Sequence, residues 1–153
     1  MLFLSEPTPV LSVHISSLNS NIRHPAIRFY SGKAIYRTRF TLGDGLSNKP
    51  LALELGAVRD VGMARVKLNG TDLGIVWRPP FRVNLGNSLQ PGENTLEVMV
   101  VNSWRNRLIH DASLPENQRL TKTNVRVIAS GPGKWPPEPS GLLGPVTLVS
   151  PKP

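Results

Sequence analysis

Apolar and polar residues alternate along most of this chain, and the alternation breaks repeatedly at glycine, proline or asparagine. In Ala64-Arg65-Val66-Lys67-Leu68 the apolar residues point one way and the cationic ones the other, the period of a strand with one buried face. Asn69-Gly70 follows, two residue types that tolerate the positive φ of a tight hairpin turn, and Leu73 to Trp77 supplies the returning strand. Gly92-Glu93-Asn94 is a second turn and opens the longest apolar strand, Thr95 to Val101. Ala34 to Leu42 places Tyr36, Thr38, Phe40 and Leu42 on one face. Leu51, Leu53 and Leu55 form another inward face, with Ala52 and Glu54 opposite. Pro79-Pro80 interrupts the ladder, as proline must, before Phe81, Val83 and Leu85 resume the alternation. Val125 to Ile128 and Val146 to Val149 read as the last two strands.

The remaining segments are punctuation. Residues 1–26 hold one weak edge strand, in which Val10, Ser12, His14 and Ser16 alternate with Leu11, Val13 and Ile15 between loop prolines Pro7, Pro9 and Pro25. Between Asn102 and Asn124 the chain is polar and Arg-rich, and Ser113-Leu114-Pro115-Glu116 predicts one short helical turn capped by Ser113. Gly131 to Pro139 is a Pro/Gly-rich loop around Trp135. No helix long enough to form a layer is predicted, so the fold class is all-β: an antiparallel β-sandwich, sheet on sheet, over residues 27–150.

Composition sharpens this picture in three ways. A chain of 153 residues with 39% hydrophobic and 18% charged residues is large and apolar enough for one domain with a real core. It has no cysteine, which excludes disulfides and thiolate metal sites. The net charge of +8 suits an acidic partner, yet the twelve arginines among the eighteen basic residues are spread from Arg23 to Arg126 and never adjacent. That spacing describes solvated strand faces, so a nucleic-acid-binding sandwich ranks well below an acidic polysaccharide as the reading of the charge. Met1-Leu2-Phe3-Leu4 stops at Ser5-Glu6-Pro7, so no signal peptide is visible, and no stretch approaches membrane-spanning length.

Several ordered motifs carry a resemblance. Val66 to Gly74, Trp77-Arg78-Pro79-Pro80-Phe81, Pro91 to Val98 and Asn102-Ser103-Trp104 resemble the sugar-binding β-sandwich that accompanies family 2 glycoside hydrolases. Ile27 to Tyr36, Leu55 to Asp60, Asn106-Arg107-Leu108-Ile109 and Ser140 to Val146 are similar to the C-terminal, galactose-binding-like jelly roll of family 106 α-L-rhamnosidases. The resemblance spans residues 27–149 and departs from the family pattern at Arg105, His110 and Lys122, where proline, glycine and an aromatic are usual. It implies a detached, noncatalytic piece of an exported enzyme whose catalytic machinery lies on a separate barrel. Such a piece either binds carbohydrate or buttresses that barrel. An edge strand missing upstream would give it a tendency to dimerise.

The residues agree on where chemistry can and cannot lie. Glycosidases need two carboxyls facing each other across the scissile bond. Glu54, Asp72 and Glu97 instead read as solvated strand residues, Asp44 and Glu93 as turn residues, and Asp60 and Asp111 as local hydrogen-bonding groups. There is no nucleophile elbow, and His110-Asp111 supplies only two of the ligands a metal site needs. No cofactor is expected, with calcium left open because loop carbonyls can bind it. Sugar binding has better material, since aromatic rings stack on the apolar face of a pyranose while Arg and Asn bond its hydroxyls. The candidate ligand residues are Trp77, Arg78, Asn102, Trp104, Arg107 and Trp135. Trp77 and Trp104 are open to two readings, core packing or ligand contact, whereas the loop around Trp135 predicts an exposed ring. The expected partner is a carbohydrate, rhamnose-containing or an acidic plant polysaccharide.

Overall fold

The computed structural model describes residues 9–13, 25–43, 45–46, 49–60 and 62–150. Ten strands run β1 Pro9–Val13, β2 Lys33–Leu42, β3 Ala52–Glu54, β4 Ala57–Arg59, β5 Met63–Leu68, β6 Thr71–Val76, β7 Arg82–Asn84, β8 Gly92–Val101, β9 Gly141–Gly144 and β10 Val146–Val149. Eight of them form two four-stranded sheets, in the orders β1-β10-β3-β7 and β2-β8-β5-β6. The short strands β4 and β9 pair separately. Every named pairing is antiparallel, and the fold is the all-β sandwich the alternation predicts.

Register explains the core. Tyr36, Val98 and Val66 lie side by side across β2, β8 and β5, as do Thr38, Leu96 and Leu68. All of these but Thr38 are buried, and they share the core with Leu53, Val146 and Leu148 from the other sheet and with Leu85 just past β7. The tyrosine has a polar tip to satisfy: its hydroxyl accepts the Leu142 N–H at 3.2 Å, which ties β9 to the second sheet. Burial pushes the Tyr36 hydroxyl pKa up, against the opposing pull of that backbone hydrogen bond.

The opposite face is charged and internally neutralised. One cross-sheet row is Arg37, Glu97, Lys67 and Asp72, and Arg37 pairs with Glu97 at 2.7 Å. Arg65 pairs with Asp72, whose carboxyl is held below the usual range first by that guanidinium and then by the Gly74 N–H. Six of the twelve arginines (37, 39, 65, 82, 105 and 107) face a carboxylate in this way. The large formal charge is thereby broken up locally rather than gathered into one field.

The hairpin forms as its sequence predicts. Asn69 and Gly70 have φ of 50° and 82°, and Ala64, Val66 and Leu68 point inward. Pro9–Val13 does pair at a sheet edge, against β10, while His14 and Ser16 lie outside the described residues. Other expectations need correction. Ala52, opposite the leucine face, is as buried as its leucine neighbours, so β3 is covered on both faces at that position. Pro9 opens β1 and Pro25 opens a single helical turn, α1 (Pro25–Arg28), instead of both lying in loops. Val125 to Ile128 is not a strand. Val125 is exposed, its N–H bonds the Thr123 hydroxyl, and the Ile128 carbonyl is taken by the Trp135 N–H as the loop folds back.

The polar connection contains an eight-residue helix, α2 (Arg105–Ala112). Ser113 stands at its C-terminal end and donates to the His110 carbonyl at 2.6 Å, so it does not cap a following helix. The predicted turn is a short 3-10 segment, Glu116–Gln118, led by Pro115. Among the described residues no helix is long and apolar enough to cross a membrane.

Candidate functional site

A cleft of about 1070 Å³ opens where β4 and β9 meet the loop after β6. Its walls include Glu54, Arg59 and Asp60 on one side, Trp77 and the Pro79-Pro80 corner on another, and Glu138 with Pro139 on a third. The corner has a local cause. Gly74 at φ 94° bulges the returning hairpin strand, and after Val76 the prolines cannot continue the ladder. Phe81 then turns inward and is buried, and its carbonyl accepts the Leu55 N–H at 2.9 Å. Trp77 is left on the rim with 71% of its surface exposed. The Arg78 guanidinium lies 5.9 Å from its ring centroid, a cation–π contact.

The cleft carboxylates are all engaged. Glu54 is held by Arg82, with Nε donating at 3.0 Å. Asp60, in the left-handed region at φ 77°, accepts the Ser103 N–H at 2.6 Å. Glu138 pairs with Arg105 at 3.0 Å, and its backbone N–H and C=O both bond the Asn106 side chain, at 2.9 and 2.8 Å. These bonds dock the start of α2 against the cleft. Trp104, 60% exposed, sits at that helix end beside Ser103.

The six sequence candidates therefore separate. Trp77 lines the cleft, Arg78 covers part of its ring, and Trp104 is tied to the cleft wall through Ser103 and Asp60. Asn102 lines a different, smaller pocket of about 230 Å³ with Ile27, Tyr30 and Tyr36. Arg107 is mostly buried and faces Asp111, 3.8 Å away and one turn along α2. Trp135 is half-buried, not exposed as its loop predicts, because the Arg105 guanidinium lies 5.1 Å over its ring. Asp60 and Asp111 are hydrogen-bonding groups as expected, but with partners distant in sequence: Asp60 accepts from the Ser103 N–H, and Asp111 accepts from the Leu120 and Thr121 N–H groups. Arg59 and Glu138 escaped sequence reasoning. Glu138 reaches the cleft only because Asn106, 32 positions away, holds its backbone, and no local pattern shows that. Arg105 departs from the usual proline of the resembling family, and here it is the residue that engages both Glu138 and Trp135.

An antiparallel sandwich with an aromatic-rimmed cleft and engaged carboxylates defines a class of folded module, and comparison with known proteins narrows it. No family model matches the chain. A curated protein of Formosa agariphila, provisionally named a beta-glucuronidase, is 39% identical over 117 residues, covering 74% of this chain and 10% of that protein. The solved rhamnosidase from Novosphingobium sp. PP1Y superposes with a TM-score of 0.69 and 36% identity over 85% of this chain and 12% of its own. The beta-D-glucuronidase of Dictyoglomus thermophilum matches more loosely, with a TM-score of 0.49 and 24% identity over 62% of this chain and 16% of that one. The chain thus spans about a tenth of the length of the Formosa agariphila and Novosphingobium proteins, and it is similar to a small part of glycoside hydrolases.

Proposed function

We propose that this chain is a noncatalytic accessory sandwich of a rhamnosidase-type glycoside hydrolase, akin to the C-terminal domain of family 106 enzymes, and that it holds carbohydrate in the Trp77 cleft. The observation that carries this reading is Trp77 itself: a large ring left 71% exposed on the wall of an open cleft. Exposed tryptophan is costly in water and useful against the apolar face of a sugar ring. Arg59 has no ion-pair partner among the described residues and is available for hydroxyls or an acidic group. Glu54, Asp60 and Glu138 are held by Arg82, Ser103 and Arg105, which suits fixed hydrogen-bond acceptors better than a general acid and its partner base. The substrate polymer is rhamnose-containing or acidic, and the setting is that of an exported enzyme.

Intrinsic fluorescence during titration with L-rhamnose and rhamnose-containing oligosaccharides, with and without calcium, tests the reading. A saturable change is expected, and Trp77→Ala weakens it about tenfold or more while leaving the melting temperature in place. Trp135→Ala instead lowers the melting temperature, because it removes the ring under Arg105. A saturable change that survives Trp77→Ala undiminished sinks the cleft assignment.

One observation favours the second reading, a buttress for a catalytic domain. Ile35 and Ile75 are 46% and 54% exposed and share a cross-sheet row with Met99 and Arg65. A neighbouring domain would cover that row. Absence of any sugar response in a folded protein, with Ile35→Glu weakening association with the separately produced catalytic portion, would decide for it.

A further inference from the structure

A second cavity, of about 550 Å³, lies between the last turn of α2 and the segment that folds back over it. Its size falls within the roughly 300–1,000 Å³ of small-molecule sites. Asp111 lines it and is 3% exposed. One oxygen of this carboxylate, Oδ2, is fully used: it accepts the Leu120 N–H at 3.1 Å, the Thr121 N–H at 2.8 Å and the Thr121 hydroxyl at 2.6 Å. The other, Oδ1, is buried and accepts no hydrogen bond, with Arg107 no nearer than 3.8 Å. A buried carboxylate oxygen without a donor is costly, so the site is built for something that brings one.

The same cavity is lined by Arg119, Lys122 and Arg126, against one further acid, Glu116. Arg119 is fixed by its Nε, which donates to the Leu114 carbonyl at 3.0 Å, and its terminal nitrogens make no ion pair among the described residues. Lys122 and Arg126 are exposed and make no ion pair among the described residues. A water molecule would satisfy Asp111 Oδ1 and leave the three cations uncompensated around one cavity. A plain anion would answer the cations and be repelled by Asp111. The ligand that answers both donates hydroxyls on one side and carries a negative charge on the other.

We infer that this cavity is a binding site for an anionic sugar, a residue bearing a carboxylate or a sulfate ester, distinct from the Trp77 cleft. Asp111 Oδ1 takes a ring hydroxyl, and Arg119, Lys122 and Arg126 take the acid group. This inference stands apart from the cleft reading.

Backbone amide shifts of the full chain are followed during titration with trigalacturonate, with its neutral galactose counterpart, and with galactose 6-sulfate. The acidic sugars are expected to move the Leu120 and Thr121 amides saturably, and the neutral trisaccharide is not. Whichever acidic sugar binds more tightly identifies the anion. Lys122→Glu combined with Arg126→Glu, both exposed positions that leave the core untouched, weakens binding about tenfold or more. Trp77→Ala leaves this binding as it was, which separates failure here from failure of the cleft. Equal binding of the neutral trisaccharide, undiminished binding by the double variant, or equally tight binding of a single-stranded oligonucleotide or of sulfate ion alone each overturns the inference.

Discussion

Gly56→Ala is expected to lower stability by about 3 kcal/mol and to abolish ligand binding in the Trp77 cleft. Gly56 adopts φ +63°, which an alanine pays to enter, and it bridges to Gly144 at the base of the cleft. A Cβ at position 56 would lie within 2.5 Å of the carbonyl oxygens of Gly144 and Pro145. Backbone cannot rotate away as a side chain can, so β4 and β9 must part, and with them the floor between Val58 and Leu143. Thermal unfolding and sugar titration of the same variant check the two halves. A melting temperature lowered by about 10 °C is the expected scale for a domain of this length. Gly70→Ala makes a useful control: it also has positive φ, but nothing lies within 4 Å of the added carbon. If both variants lose the same stability, the close approach of Gly144 contributes nothing beyond the backbone conformation.

Asn94→Ala is expected to be comparably severe, at about 3–4 kcal/mol, for a different reason. Asn94 is fully buried at the start of β8 and every valence of its amide is used. Its Nδ2 donates to the carbonyls of Gln90 and Gly92, at 2.8 and 3.0 Å. Its Oδ1 accepts the Gln90 N–H at 3.0 Å and the Asn69 Nδ2–H at 2.8 Å. Asn69 in turn bonds the Ser88 carbonyl and the Thr95 N–H. The pair joins the hairpin turn to the turn that opens β8, and truncation at 94 orphans four groups at once. A surface ion pair such as Arg37–Glu97 contributes under about 1 kcal/mol, so Arg37→Ala gauges the difference between the two kinds of polar contact. A double-mutant cycle with Asn69→Ala measures the coupling by chemical denaturation, and a coupling near zero would show the two amides acting independently.

The sequence was most legible where structure is decided locally. Asn69-Gly70 needs only its own two positive φ angles and the alternation on either side. The long strands β2 and β8 each run ten residues, enough for a period of two to declare itself. Strands β4 and β9 have three and four residues and end near glycines, too short for alternation to show. Helix α2 reads as a polar, arginine-rich loop because its stability comes from Asn106 against Glu138 and Asp111 against Thr121, both outside any local window. Val125 to Ile128 fails in the opposite sense: it alternates, but no strand is placed beside it.

The candidate site divides along the same line. Trp77 stays open between packing and ligand contact in the sequence, because the exposure of a ring beside two prolines depends on which way the corner turns, and the fold leaves it 71% exposed. The surroundings of Arg107 and Trp135 were not legible, since their partners, Asp111 and Arg105, are supplied by a helix the pattern does not reveal.

The stretch between α2 and β9 is held by side chains of that helix: Asp111 grips Thr121, Asn106 grips Glu138, and Arg105 lies over the Trp135 ring. Between those grips the backbone contributes no rung to either sheet. Insertions or deletions there change the closure entropy of a surface loop only slowly with length. Residues 122–134 can therefore drift without unfolding the sandwich, and they include two of the cations considered above, whereas Trp135 is tied back to the helix by Arg105. Descendants of a common ancestor could keep this scaffold and exchange what its surface recognises.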